Sequence, residues 1–191
     1  MASAFTHVFV AGAFGKAYSI RNTTITFWML TVLCCLLPDV DVLGFTVGIR
    51  YNSVLGHRGF THSLLFAALM SLLVAVLAFK TIPRFSRSWW GLWAYFFLVG
   101  ASHGVLDAMT DRGSGVGFFM PFDTSRYFLS WRPLHTSPLS IARFFSPYGW
   151  HVLMSEMIWI WLPVSLVVSG IRFYRKRNER LRNSLDASPP S

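Results

Sequence analysis

A long apolar run begins at Trp89-Trp90 and ends in Ser102-His103-Gly104-Val105-Leu106-Asp107. Its length and composition predict a membrane helix. Residues four apart share a helix face, so His103 and Asp107 point the same way, with Asp111 one turn further on. A charge at the centre of a bilayer costs about 2.5–3.5 kcal/mol on the insertion scale, so the pair needs a compensating partner. A divalent metal ion would serve, and so would a buried His–Asp hydrogen bond that only fixes helix packing.

The composition of the whole chain is that of a membrane protein. Of its 191 residues 53% are hydrophobic and only 13% are charged, whereas a soluble domain carries about 25% charged residues. This length allows one compact bundle rather than two domains. The two cysteines, Cys34 and Cys35, are adjacent in an apolar run. Neighbours on a helix point about 100° apart, so neither a disulfide framework nor a Cys-type metal site is expected.

The net charge of +9 does not indicate a nucleic-acid partner, because the positive charge is concentrated after the last apolar run. Such a cluster is typical of the cytoplasmic flank of a membrane helix and can also contact anionic lipid. No nucleic acid is therefore expected, membrane lipid is the expected partner, and the oligomeric state is not indicated. The first residues lack the basic region of a cleavable signal peptide. The residues of the basic cluster are Arg172, Arg175, Lys176, Arg177, Arg180 and Arg182.

Five apolar segments predict an all-α, polytopic membrane bundle of about five helices. The second segment spans only about 21 Å, less than a hydrocarbon core of about 30 Å, and we expect a loop after Pro38. Thr61 is a plausible cap for the third helix.

The aromatic-rich connection 110–150 is expected to lie on the bundle or at the membrane interface. Residues 1–171 form the single predicted domain, and 172–191 a basic, flexible cytoplasmic tail. The predicted helices are 4–20, 24–37, 62–79, 88–109 and 151–171.

The charged turns predict the topology. If the basic tail is cytoplasmic, the turns 16–21 and 80–87 are cytoplasmic too, in agreement with their Lys and Arg residues. The 38–62 loop and the 110–150 connection then face the other side of the membrane, away from the cytoplasm. All six histidines fall toward that side. Histidines with separate structural roles would not be expected to cluster, so the clustering favours a metal site.

Asp39 and Asp41 follow Pro38 and are two residues apart. They reach one point only if the chain turns, so we expect one metal ligand and one supporting partner. Asp is also common in turns and caps, which is the structural alternative. His57 and His62 are five apart and do not share a helix face, although a loop could bring them together.

Four further side chains are candidates for chemistry or contact. Arg58 could clamp a phosphate or carboxylate in a bidentate manner, or anchor the chain at the interface. Glu156 lies in the last helix, and an ionisable residue inside a membrane helix is taken to be functional unless another role explains it. A salt bridge to an arginine would be such a role. His135 and His151 lie in or beside the long connection, where an exposed histidine needs no special explanation.

The candidate ligands are nitrogen and carboxylate oxygen without thiolate. Such a set suits Zn²⁺, with Mn²⁺ or Fe²⁺ as alternatives. One or two ions would activate water or clamp a phosphoester, and a surplus carboxylate such as Asp39 or Asp111 could act as general base.

At these residues the sequence resembles the YdjM-type inner-membrane proteins, a family of LexA-regulated, membrane-bound metal-dependent hydrolases. The resemblance extends to about residue 165 and excludes the basic tail. It is carried by His7 after Thr6, Leu37-Pro38-Asp39-Val40-Asp41, His57-Arg58-Gly59-Phe60-Thr61-His62-Ser63, His103-Gly104-Val105-Leu106-Asp107-Ala108-Met109-Thr110, Pro121-Phe122, Arg126-Tyr127-Phe128, Trp131-Arg132-Pro133 and Ser155-Glu156.

The order of these residues is also similar to that of zinc-dependent phospholipases C and related single-strand nucleases. Those enzymes have a histidine four residues before their last acidic ligand. The acid at that place in this chain is Glu156, and the residue four positions before it is Val152, so a third metal is not expected. The resemblances imply metal ligands His7, Asp41 (or Asp39), His62, His103 and Asp107, with Asp107 bridging.

From the residues and the resemblance we predict a metal-dependent hydrolase of the bacterial inner membrane that acts on a lipid or lipid-linked phosphoester near the periplasmic surface. The alternatives are a metal-binding or transport protein without hydrolytic chemistry, and a purely structural His/Asp network. Arg58, Arg126 and Arg132 are candidates to hold the phosphate. The predicted catalytic residues are Asp39, Arg58 and Glu156, and the predicted metal ligands are His7, Asp41, His57, His62, His103 and Asp107.

Overall fold

The computed structural model describes residues 1–18 and 24–186. Within these ranges the regular structure is helical, apart from two isolated β-bridges, Thr110–Leu134 and Val116–Tyr127. The α-helices are α1 (Ala4–Tyr18), α2 (Ile25–Leu36), α3 (Leu64–Ala78), α4 (Arg87–Ala108), α5 (Ile141–Phe144), α6 (Pro147–Glu156) and α7 (Leu162–Asp186). The remaining helical structure consists of two 3₁₀ segments, Leu37–Val47 and Phe60–His62, and a π-helical turn, Met157–Trp161.

Helix α4 lies at the centre of the fold and packs against α3, α1 and α2. Its buried face carries Leu92, Tyr95, Phe96 and Val99, which join the main apolar core. Gly100 allows α3 to come close, since a Cβ there would lie 2.8 Å from the Met70 side chain. Close packing of this helix fixes the position of the His103–Asp107 pair at its end.

Two helical stretches among the described residues are long and apolar enough to cross a membrane, Ile25–Val47 and Pro147–Arg180. Only 22% of the most apolar window of each is buried, whereas the core helix of a soluble protein would be mostly buried. Helix α3 is shorter but also exposes leucines, among them Leu73 and Leu77. Continuous exposed apolar surface of this kind requires an apolar environment.

The segment after Pro38 differs from the predicted loop. Proline is tolerated at the start of a helix, where its missing N–H costs nothing, and here the chain continues from α2 into the 3₁₀ segment Leu37–Val47. The second helical stretch is therefore longer than the sequence indicated. The cap of α3 is Ser63, whose hydroxyl accepts from the Phe66 N–H, so the assignment to Thr61 was wrong.

The last helical stretch begins at Pro147, before the predicted residue 151, and α7 continues to Asp186. The basic segment predicted as a flexible tail is thus helical as far as Asp186, and Ser-Pro-Pro-Ser lies outside the described residues. The connection 110–150 contains α5 and the start of α6. It lies against the helices as expected, with Val116, Met120 and Leu134 buried.

Candidate metal centre

Four side chains from three separate elements meet at one buried point. Asp39 comes from the first 3₁₀ segment, His62 from the second, and His103 and Asp107 from α4. Each offers one ligand atom, and the four atoms all lie within 4.8 Å of one another. The structure therefore brings together residues that are far apart in the chain, from Asp39 in the first 3₁₀ segment to Asp107 at the end of α4.

The spacing of these atoms is that of a metal site. Asp39 Oδ1 lies 3.3 Å from His103 Nε2 and 3.6 Å from His62 Nε2. His62 Nε2 lies 3.6 Å from Asp107 Oδ2. A tetrahedron with ordinary zinc–nitrogen or zinc–oxygen distances of about 2.0–2.2 Å has edges of about 3.3–3.6 Å. These three pairs make no hydrogen bond in the structure, and their distances are those of donor atoms that share a cation.

The same four atoms have no hydrogen-bond partner among the described residues. Asp39 Oδ1, His62 Nε2, His103 Nε2 and Asp107 Oδ2 are all buried and without a hydrogen bond, although Asp107 Oδ2 has an ion-pair contact with Arg58 Nε. An unpaired buried polar group costs about 1–3 kcal/mol, and more when it is charged. Four of them aimed at one point indicate that the group binds something there, and their chemistry fits a divalent cation.

Each of the two histidines is oriented by a partner on its other nitrogen. His103 Nδ1 lies 2.6 Å from the Cys35 carbonyl oxygen, and His62 Nδ1 lies 3.2 Å from Asp41 Oδ2. Metal-binding histidines are usually held in this way, because a bond on one nitrogen fixes the tautomer and turns the other toward the ion. The Cys35 carbonyl was not expected from the sequence, since a backbone acceptor leaves no residue signal.

Asp41 lies behind His62 rather than in the group of four. Its Oδ1 accepts from His57 Nδ1 at 2.7 Å, and its Oδ2 accepts from the Thr61 hydroxyl at 2.7 Å and from the Arg58 N–H at 3.2 Å. Asp41, His57 and His62 form a second, three-residue group with ligand atoms within 4.8 Å. His57 and His62 do converge, as their spacing allowed, and their roles as ligands stay predictions.

His7 lies beside the group of four. Its ring stacks on that of His103, with centroids 3.7 Å apart and planes 8° from parallel. His7 Nε2 lies 3.5 Å from Asp107 Oδ1, and neither ring nitrogen has a hydrogen-bond partner among the described residues. The predicted ligand is therefore adjacent to the cluster and has a free nitrogen.

Asp107 is held by a buried guanidinium. Arg58 Nε lies 3.2 Å from Asp107 Oδ2, and both side chains are almost fully buried. The other guanidinium nitrogens donate to Thr110 Oγ1 at 2.9 Å and to the Arg112 carbonyl at 3.2 Å. Arg58 has a φ of 61°, a strained value for a residue with a side chain. The geometry shows Arg58 neutralising a carboxylate of the protein; its predicted phosphate contact is not tested.

A glycine lets the two parts of the site approach. A Cβ at Gly104 would lie 2.9 Å from the carbonyl oxygen of His62, which is too close for ordinary contact. The residue next to His103 must therefore be small for His62 to reach the cluster.

Glu156 is buried in a separate set of hydrogen bonds. Its carboxylate accepts from the Ser3 N–H and hydroxyl, both at 2.5 Å, and from the Thr6 hydroxyl at 2.8 Å. It is not in either candidate metal group, and its predicted catalytic role stays a prediction. Ser3 and Thr6 carried no signal in the sequence that would have paired them with a residue so distant in the chain.

Asp111 does not share the face of His103 and Asp107, because α4 ends at Ala108 and the chain turns away. Instead, Asp111 accepts from the Thr136 N–H at 2.9 Å and pairs with the exposed His135 at 3.0 Å. Burial alone would raise the pKa of Asp111, but these hydrogen bonds hold it below its usual value. Neither His135 nor the exposed His151 reaches the cluster.

Arg126 and Arg132, two arginines of the long connection, both contact the protein itself. Arg126 donates to the carbonyl oxygens of His57, Tyr51 and Ser53, and Arg132 stacks over Phe128 at 4.7 Å. The phosphate contacts predicted for both are not tested by these positions.

The electrostatics of the cluster favour a cation. Burial alone would lower the pKa of His62, but the carboxylates of Asp107, Asp39 and Asp41 outweigh burial and raise it to about 10.

Asp39 is the accessible member of the group of four, with 14% of its side chain exposed against 0% for the other three. The group of four is therefore exposed only on the side of Asp39.

Known proteins similar to this chain identify its family. The profile described as YdjM inner membrane protein matches residues 1–178. Over 151 residues the chain is 37% identical to the inner membrane protein YbcI of Escherichia coli K12, a match that covers 76% of this chain and 82% of that relative. No solved structure matches. These matches confirm the resemblance predicted from the His and Asp motifs: the chain belongs to the YdjM family of inner membrane proteins.

Proposed function

We propose that the chain is a metal-dependent hydrolase of the inner membrane that acts on a lipid or lipid-linked phosphoester. The observation that supports this most strongly is the convergence of four unpaired, buried ligand atoms on a point that is accessible only at Asp39. Zn²⁺ is the proposed ion, with Mn²⁺ or Fe²⁺ as alternatives, because the donors are imidazole and carboxylate.

The proposed roles follow from where each side chain lies. His62, His103 and Asp107 hold the ion, a set of two nitrogens and one carboxylate that is common in catalytic zinc sites. A divalent ion in such a site lowers the pKa of a bound water and stabilises negative charge on a phosphoryl group. Asp39 is accessible and acts as the general base that takes the proton of the attacking water. Asp41 holds His62, and Arg58 holds Asp107, so both position ligands.

The proposed topology is a bundle that crosses the membrane several times with the basic C-terminal segment in the cytoplasm. Exposed apolar residues on α2, α3 and α7 support it, as do the arginines of α7, which mark a cytoplasmic flank. The metal centre then opens toward the periplasmic side. Cysteines introduced at Ser114 and at Arg182 should react with an impermeant maleimide from opposite sides of the membrane, and labelling of both from the same side would contradict the topology.

A second candidate function is metal binding or transport without hydrolysis. Structural zinc sites have four protein ligands and catalytic sites have three with an open position, and the group here has four members. If Asp39 is a fourth ligand, the site is closed to water. The hydrolase therefore requires Asp39 as a general base, whereas the binding or transport protein requires it as a metal ligand.

The Asp39→Asn variant separates the two candidates. A hydrolase with Asp39 as base retains its metal and loses most of its turnover, whereas a closed site loses metal because a charged ligand is gone. The assay uses purified protein with Zn²⁺ or Mn²⁺ on phospholipid vesicles and on bis(p-nitrophenyl) phosphate, with the surface variant Asp123→Asn as matched control. Wild-type protein that binds metal and hydrolyses neither substrate would refute the hydrolase proposal.

A further inference from the structure

An apolar cleft of about 710 Å³ opens beside the metal centre. Its walls come from the start of α1, the first 3₁₀ segment and the chain around α5. Phe5 stacks on Phe144, which contacts Phe145 edge to face, so aromatic rings form one wall. The volume lies within the range of about 300–1,000 Å³ typical of ligand pockets.

The walls of this cleft are both apolar and exposed. Leu43 is 65% exposed and Phe145 is 80% exposed, although both line the cavity. Apolar side chains that line a concavity without filling it are characteristic of a ligand groove. The occupant must therefore be apolar over most of its length.

Asp39 connects the cleft to the metal centre. It is the single ionisable side chain among the described residues that line the cleft, and its Oδ1 belongs to the group of four. An occupant thus meets hydrocarbon along the cleft and a charged, metal-binding group where Asp39 lies. An amphiphile with one apolar chain and one anionic end has this distribution of polarity.

We infer that the cleft binds the hydrocarbon chain of the substrate, so that the phosphoester of a single-chain amphiphile, or one chain of a lipid, is placed at Asp39. This inference rests on the proposed function and adds to it the residues that select the substrate. A peptide is a poorer match, because its backbone N–H and C=O groups would meet few partners on these walls. A small polar phosphoester would leave the walls without a partner.

The test measures binding of n-butyl, n-hexyl and n-octyl phosphate to Zn²⁺-loaded full-length protein in peptidiscs, by calorimetry, with inorganic phosphate as the chain-free probe. Removing a methylene from water strengthens binding by up to about four-fold. From butyl to octyl phosphate we therefore expect a gain of between about 10-fold and 200-fold in the wild type. The double variant Leu43→Gln, Phe145→Gln should reduce this gain to less than about three-fold and leave the affinity for inorganic phosphate unchanged.

The chain offers a matched control at two exposed apolar residues outside the cleft. Val47 is 76% and Phe122 is 85% exposed, so Val47→Gln, Phe122→Gln is an equal surface change. This control should keep the wild-type dependence on chain length. Equal losses in both double variants, or no dependence in the wild type, would overturn the inference.

The outcomes also separate this inference from the proposed function. Chain-length dependence that is lost only in the cleft variant, with no hydrolysis of any phosphoester, supports the cleft and refutes the hydrolase. Hydrolysis that is indifferent to chain length and to both cleft substitutions supports the hydrolase and refutes the cleft.

Discussion

The Asp41→Asn substitution tests how the metal centre is built. Asp41 accepts three hydrogen bonds, from His57, the Thr61 hydroxyl and the Arg58 N–H, and its Oδ2 also lies 3.2 Å from His62 Nδ1. An asparagine has one acceptor oxygen and one amide nitrogen. If the asparagine oxygen takes the place of Oδ2, it faces the same three groups, the Thr61 hydroxyl, the Arg58 N–H and His62 Nδ1. The amide nitrogen then donates to His57 Nδ1, which accepts in the other tautomer of the ring. The hydrogen-bond network therefore survives, and the negative charge is lost.

The magnitude follows from the polar contact between Asp41 Oδ2 and His62 Nδ1. A polar contact to a charged group contributes about 1.5–3 kcal/mol and a neutral one about 0.5–1.5 kcal/mol, so loss of the charge weakens the contact that orients His62 by about 1–1.5 kcal/mol. This alone corresponds to about a five- to 13-fold loss in affinity. Loss of an outer carboxylate typically weakens metal binding about 10–100-fold. We expect Zn²⁺ affinity to fall by about 10–100-fold with the metal stoichiometry unchanged at saturation.

The assay is a competitive titration of Zn²⁺ against a chromophoric chelator, with Asp123→Asn as the control. Asp123 is a surface aspartate that pairs with Ser125 and Tyr127, so its variant should bind Zn²⁺ as the wild type does. An affinity for Asp41→Asn within about three-fold of wild type would refute the role of Asp41 in orienting His62. A loss far beyond about 100-fold would show that Asp41 is itself a ligand, as the sequence predicted.

Three further substitutions test the packing around the site. Gly104→Ala places a Cβ 2.9 Å from the His62 carbonyl oxygen. The variant should lose about 1–3 kcal/mol of stability in thermal unfolding and bind Zn²⁺ more weakly in titration, and an unchanged Zn²⁺ affinity would refute the close approach. Thr110→Val removes the acceptor of Arg58 and should cost about 1.5–3 kcal/mol in thermal unfolding, and a neutral effect would show that the guanidinium finds another partner. Ser63→Ala removes the cap of α3 and should cost about 1 kcal/mol without changing Zn²⁺ affinity, so weaker metal binding would contradict its purely structural role.

The helical part of the site could be predicted because helix periodicity relates sequence spacing to direction. His103 and Asp107 are one turn apart, and the structure places both in the group of four. The same rule failed for Asp111, because it holds only while the helix lasts and α4 ends at Ala108. Where a helix ends depends on tertiary contacts that a single sequence does not display.

The sequence predicted different roles for Asp39 and Asp41 but not which of the two lies in the group of four. In a 3₁₀ helix each residue turns the chain by about 120°, so residues two apart point to different sides. Asp39 therefore faces His103, and Asp41 faces His57. The sequence indicated a loop here and could not give this direction. Likewise the Cys35 carbonyl, which orients His103, is a backbone group and has no signature in the residue pattern.

The four converging side chains should bind a divalent metal ion, and elemental analysis of the purified full-length protein, beside its His103→Ala variant, measures this. We expect at least one zinc, manganese or iron ion per chain in the wild type and a loss of that metal in the variant, since His103 supplies one of the four ligand atoms that lack a hydrogen bond. Wild-type protein that contains no such metal even after incubation with Zn²⁺, or a variant with unchanged stoichiometry, would contradict this expectation.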